Sequence, residues 1–207
     1  MPETAHAPSP PLVHAAVPAP PGGPRAAPRL RWHGGQDVPD SLPIARSQAW
    51  LFVPDGRIVV LTDARGTRFW LPNGPHPDDD TPAAMAGAAS QQAQLDTKAP
   101  HYLGYLEYVQ EETKQDETGT NVEYRICAAV SLAAVISNVQ PSAPVSGSRQ
   151  MFRRLCVAPH QAVALLGLGP AGHDQARTAL TATNALWDVP TIAPSAIDEL
   201  PAEGGIL

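Results

Sequence analysis

From about residue 45 to residue 187 the apolar and polar positions follow two rhythms, one of period two and one near 3.6. Residues 47–53 (SQAWLFV) and 57–63 (RIVVLTD) are β-rich runs on either side of Pro54-Asp55-Gly56, a turn signal, and predict a hairpin. Residues 69–71 predict a further short strand. Residues 82–94 are dominated by Ala, the strongest helix former, with Thr81 placed to cap the helix and Pro82 at its first position. Residues 102–110 (YLGYLEYVQ) alternate, with Leu103, Tyr105, Glu107 and Val109 on one face and Tyr102, Gly104, Leu106, Tyr108 and Gln110 on the other. Residues 111–121 (EETKQDETGTN) read as a polar hairpin loop, and 122–136 as a long apolar strand central to a sheet. A Ser/Pro/Gly-rich loop over 137–149 is long enough to be of functional interest. Residues 152–158 predict another strand, and Pro159 and His160 open a helix. A second C-terminal helix spans 174–187, with Ala176, Leu180, Thr183 and Trp187 at helical spacing.

The flanks differ in kind. Residues 1–44 are rich in Pro and Ala and are expected to be disordered or polyproline-like, because so few side chains can offset the entropy of ordering. Arg25, Arg29 and Arg31 with Trp32 form a basic-aromatic cluster at the end of this segment. They mark 1–44 either as a solvated linker or as a docking segment for a protein partner. Residues 188–207 read as a loose tail, which leaves 45–187 as the folded domain. The 207 residues carry a net charge of −6, so nothing points to nucleic acid or another polyanion as a partner. Cys127 and Cys156 lie in apolar strand-like runs and read as buried free thiols. No apolar run reaches the ~18 residues of a membrane span, and the N-terminus lacks the apolar core of a signal peptide. A cytoplasmic protein without membrane contact is expected.

The most informative stretch is 69–96: FWLPNG, then PHPDDDTP, then AAMAGAASQQAQLD. Its order of strand, glycine turn, acidic loop and helix resembles the signature of the Nudix hydrolase family. Trp70, Leu71, Pro72 and Gly74 look like the residues that open that family's box. In the same register the first box glutamate falls on Asp80, the Arg-Glu pair on Ala88 and Ala89, and the Glu-Glu pair on Gln92 and Ala93. The strand and helix pattern after residue 150 looks similar too, so the resemblance spans about residues 46–187. It implies an α/β/α sandwich with a mixed, curved sheet. It also implies a site for Mg²⁺ or Mn²⁺, hard cations that take oxygen ligands, on one helix face. Here that face offers two methyl groups and a neutral amide, and no glutamate occurs between Glu3 and Glu107. The standard catalytic residues are missing in every register.

Two functional expectations follow. The first is a Nudix-like domain that does not hydrolyse nucleoside diphosphates and needs no metal. It would keep a pocket for a small-molecule ligand, or for a repurposed metal-independent reaction, lined by Trp70, Asn73, Gly74, Ala89, Gln92, Ala93 and Tyr105. The second is an active hydrolase with Mg²⁺ or Mn²⁺ held by non-standard ligands: Glu107, Glu123 and the Asp78–Asp80 loop. Glu107, Asp80 and Glu123 are the candidate catalytic carboxylates in either case, since a buried strand carboxylate can act as acid or base. A third expectation is a scaffold that works through residues 1–44. His76 beside the three aspartates offers a substitute metal site, and the helix dipole is the simpler reason for the acidic loop.

Overall fold

The computed structural model describes residues 30–78, 81–116, 119–141 and 152–206. Along them the chain forms β1 (Arg31–Gly34), β2 (Ile44–Phe52), β3 (Ile58–Asp63), β4 (Phe69–Trp70), β5 (Asn73–Gly74), α1 (Pro82–Ala93), β6 (Leu95–Asp116) and β7 (Gly119–Val139). It continues through β8 (Phe152–Val157), α2 (Pro159–Leu166), α3 (Gly169–Trp187), β9 (Asp198–Glu199) and β10 (Gly205–Ile206). The strands make one open sheet in the order β1-β6-β7-β2-β3-β8-β9, with β10 on β7, β4 on β3 and β5 on β2. The sheet is mixed, since β2 runs parallel to β7 while the other described pairs are antiparallel.

Alternation along β2 fixes the layers. Ala49 and Leu51 turn to one face, where they meet Ala89 and Ala93 of α1. Trp50 and Phe52 turn to the other, against Ala162, Val163 and Leu166 of α2 and Ala176 and Ala179 of α3. A strand covered on both faces needs apolar residues at consecutive positions, which is why AWLF reads as an unbroken run. The architecture is the expected α/β sandwich. Among the described residues no helix is long and apolar enough to cross a membrane.

Several elements run further than the pattern suggested. Residues 111–121 are not a loop: β6 continues to Asp116 and β7 begins at Gly119, so the hairpin carries on as a two-stranded ribbon. An antiparallel ribbon is held by its backbone ladder and needs no apolar run, so polarity hid it. Residues 31–34, inside the Pro- and Ala-rich flank, form β1 on the outer edge of β6. The C-terminal stretch also joins the sheet, through β9 on β8 and β10 on β7. Residues 1–29 and 142–151, which hold most of the expected disordered segment and of the loop over 137–149, lie outside the described residues.

The two-face reading of residues 102–110 changes at one point. A bulge between Tyr102 and Gly104 inserts an extra residue into β6. Leu103 therefore joins the core under α2 and α3, while Tyr102 packs with Met85 and Ala86 under α1. Gly104 makes this bend feasible. Its φ is +126°, and a Cβ there would lie 2.1 Å from the carbonyl oxygen of His33.

Candidate functional site

The helix with the box-like register forms as its sequence dictates. The Thr81 hydroxyl accepts from the Ala84 N–H, Pro82 stands in the first turn, and Gln94 ends the helix in the left-handed region at φ 55°. Gly74 lets α1 come close: a Cβ at that position would sit 2.5 Å from the Ala88 carbonyl oxygen. Ala89 and Ala93 are 0% exposed and pack on Ala49, Leu51, Leu61 and Trp70. The Gln92 side-chain oxygen accepts from the Asn73 backbone N–H at 2.9 Å. The space that a metal cluster would need on this face is thus filled, and its one polar side chain ties the helix to β5. Two methyls and an amide already engaged do not fit a divalent cation, which wants charged oxygens. Among the described residues no three His, Cys, Asp or Glu side chains are grouped to hold a metal.

Glu107 sits on the α1 side of the sheet, opposite Ala128 in β7. Its carboxylate oxygen lies 3.1 Å from Nε2 of His33, and each side chain keeps about a quarter of its surface open (24% and 23%). The His33 ring stacks on Tyr105, with centroids 4.4 Å apart and planes 6° from parallel. Strand pairing produces this cluster, because His33 is registered directly against Tyr105, two residues from Glu107 on the same face. Burial, with Glu107 nearby, pushes the Tyr105 phenol above its ordinary range, and burial lifts that of Tyr102 to about 12. Both phenols stay protonated at neutral pH. The Tyr102 hydroxyl donates a hydrogen bond to the Gln36 carbonyl at 2.7 Å.

Glu123 does not join Glu107. It is exposed and registered against position 112, five residues further along the ribbon, which is roughly 17 Å away and on the opposite face. Asp78 is exposed, while Asp79 and Asp80 lie outside the described residues. His76 turns to the sheet, with Nδ1 3.1 Å from Oγ of Ser47. Ser47 is fully buried, so this contact anchors the loop before α1 and offers no accessible nucleophile. His101, His160 and His173 are all exposed.

Trp70 and Asn73 come together with Arg46, Gln48, Leu71, Leu166 and Leu168 around a narrow crevice with space for about one water molecule. Beneath it the Ser131 hydroxyl accepts from the side-chain amides of Gln48 at 3.0 Å and Gln175 at 2.6 Å, and all three residues are buried. Arg46 is 4% exposed, and its guanidinium lies 4.8 Å from the centre of the Tyr108 ring. Sequence reasoning missed this buried polar chain and His33. The only signal for the first was Arg46, Ser47 and Gln48 heading an otherwise apolar strand. His33 had none, since its partner is 74 residues away. No protein-family model matches the chain, and a search of curated proteins finds no match either.

Proposed function

We propose that this chain is a Nudix-like domain that does not carry out metal-dependent hydrolysis of nucleoside diphosphates. It acts instead as a small-molecule binding module, and its recognition surface is the α1-side face around His33, Tyr105 and Glu107. The observation that carries this reading is the complete burial of Ala89 and Ala93 on the sheet. A ligand at the proposed face would meet the partly open His33 ring, backed by the buried Tyr105 it stacks on, and the partly open Glu107 carboxylate. The 3.1 Å contact between Glu107 and His33 favours one second reading, a metal-independent reaction that uses this pair as acid and base. A cytoplasmic location belongs to the same proposal, supported by two buried free thiols, Cys127 and Cys156.

The test combines calorimetry, turnover and ligand screening on the full chain. Titration with MgCl₂ or MnCl₂ is expected to give no submillimolar binding, and ADP-ribose no metal-dependent turnover. A thermal-shift screen is expected to yield small molecules whose effect survives EDTA and is lost in His33→Ala and Glu107→Gln. Manganese-dependent turnover abolished by Glu107→Gln would overturn the proposal in favour of a hydrolase with metal held by Glu107, Glu123 and the Asp78–Asp80 loop.

A further inference from the structure

Beyond the level of β2 the β6–β7 hairpin has no further strand beside it among the described residues. The pairing of β2 with β7 reaches no further than Ala128, and β1 pairs with β6 no further than Glu107. The rest of the ribbon, up to Asp116 and Gly119, has open edges among the described residues. It extends about nine residues, or roughly 30 Å. An isolated two-stranded ribbon is marginal in water. This one also exposes a stripe: Val122, Tyr124 and Ile126 alternate on one face and are 45%, 48% and 54% exposed. That face is continuous with the α1 side, because Ala128, two residues on from Ile126, is registered with Glu107.

We infer that the occupant of this stripe is the chain's own segment 1–29. Three observations point to it. First, β1 is antiparallel to β6 and begins at Arg31, opposite Glu107, so the residues before it enter from the protruding end of the ribbon. Leu30 and Trp32 pack on Leu106, Tyr108 and Cys127 at its base, on the face away from the stripe, so the alternate positions Arg31 and His33 take the stripe's side. Second, the length suffices. The stripe ends about six residues beyond Ala128, roughly 20 Å, whereas the twelve residues from 17 to 29 reach about 37 Å even at polyproline pitch. Leu12, Val13 and Val17 can therefore arrive over Tyr124 and Val122. Third, charges match: the exposed Glu111, registered against Tyr124 on the stripe's own face, lies on the way of Arg25 and Arg29 of the segment. Pro24 and Pro28 lack an N–H, so the segment covers the ribbon by side-chain contact more than by a regular ladder.

The test uses the full-length chain. Cys127 and Cys156 are buried, so Ile126→Cys gives one accessible thiol for a benzophenone label. After irradiation, mass spectrometry is expected to find cross-links from position 126 to residues 12–29 within a single chain, independent of concentration. The yield is expected to fall about fivefold when Arg25→Glu and Arg29→Glu are added, since the charge reversal turns a modest attraction to Glu111 into repulsion. Cross-links confined to residues 30–206, or cross-links joining two chains and growing with concentration, overturn the inference.

Discussion

Arg154 lies in the middle of β8, is 2% exposed, and is the pin that holds the C-terminal stretch to the sheet. Its guanidinium donates to three carbonyls from separate parts of the chain: Gln94 at the end of α1 (3.3 Å), Gln140 after β7 (2.8 Å) and Pro201 after β9 (2.7 Å). Arg154→Met keeps most of the buried volume and removes every donor. Three hydrogen bonds to a charged group, at about 1.5–3 kcal/mol each, would suggest a loss of about 4.5–9 kcal/mol. That sum is too large for two reasons. The Gln94 oxygen still accepts from the Gln140 N–H, and the Pro201 oxygen from the Gly204 N–H, so of the three only the Gln140 oxygen loses its sole described partner. Removing a buried cation also relieves its desolvation. A net loss of about 2–3 kcal/mol is expected, read as a urea midpoint lower by about 1 M at unchanged slope. Hydrogen exchange should speed up most in residues 198–206. Its neighbour Arg153 serves as control, because it faces solvent and pairs with the exposed Glu199, and Arg153→Met should leave the midpoint where it is. A midpoint for Arg154→Met that coincides with the parent, or a tail exchanging no faster, would refute the reasoning.

Gly104→Ala should lower stability by more than about 2 kcal/mol and release the β1 amides to exchange, since the new methyl would collide with the His33 carbonyl at a φ hostile to side chains. Gln94→Gly should raise the unfolding free energy by about 1 kcal/mol, read as a higher urea midpoint, because a left-handed helix end at φ 55° strains any residue with a Cβ and the substitution keeps the carbonyl that bonds Arg154. For Asp55, burial opposes ionisation, but hydrogen bonds from the Arg57 side chain and N–H outweigh it and hold the carboxyl below 3.8. A lowered folded-state pKa gives stability that is present above pH 3.8 and lost as the pH falls through the folded value. The acid limb of a stability profile should therefore flatten there in Asp55→Asn.

Local signals carried the sandwich. Ala-rich composition with Thr81 and Pro82 located α1 to within a residue, and the Pro54-Asp55-Gly56 turn located the β2–β3 connection, because caps and turns depend on neighbours in sequence. What escaped detection depends on distant partners. The ribbon beyond Gln110 is a strand because its complement lies across the hairpin, and no apolar face was needed to declare it. Residues 31–34 are a strand only because β6 offers an edge, and residues 198–206 join the sheet with Arg154 as their anchor. Of the candidate site, Glu107 and Tyr105 were visible as polar and aromatic positions on an alternating strand. The His33 that completes the cluster was hidden in a Pro- and Ala-rich flank. The Ala-rich helix face was legible as composition, but whether its methyls faced a cavity or a packed sheet was a matter of three dimensions.

That last point is open to one direct measurement: the double variant Ala89→Glu, Ala93→Glu, unfolded in urea with and without Mn²⁺. Each carboxylate would be forced against Leu51 and Leu61, where burying an unpaired charge costs several kcal/mol, a large share of an ordinary domain's stability. The expected result is a chain that is severely destabilised and gains nothing from the metal. A well-folded variant stabilised by about 2.7 kcal/mol in about 10 mM Mn²⁺, the gain for a site of roughly 0.1 mM affinity, would contradict the claim that this face is built for packing.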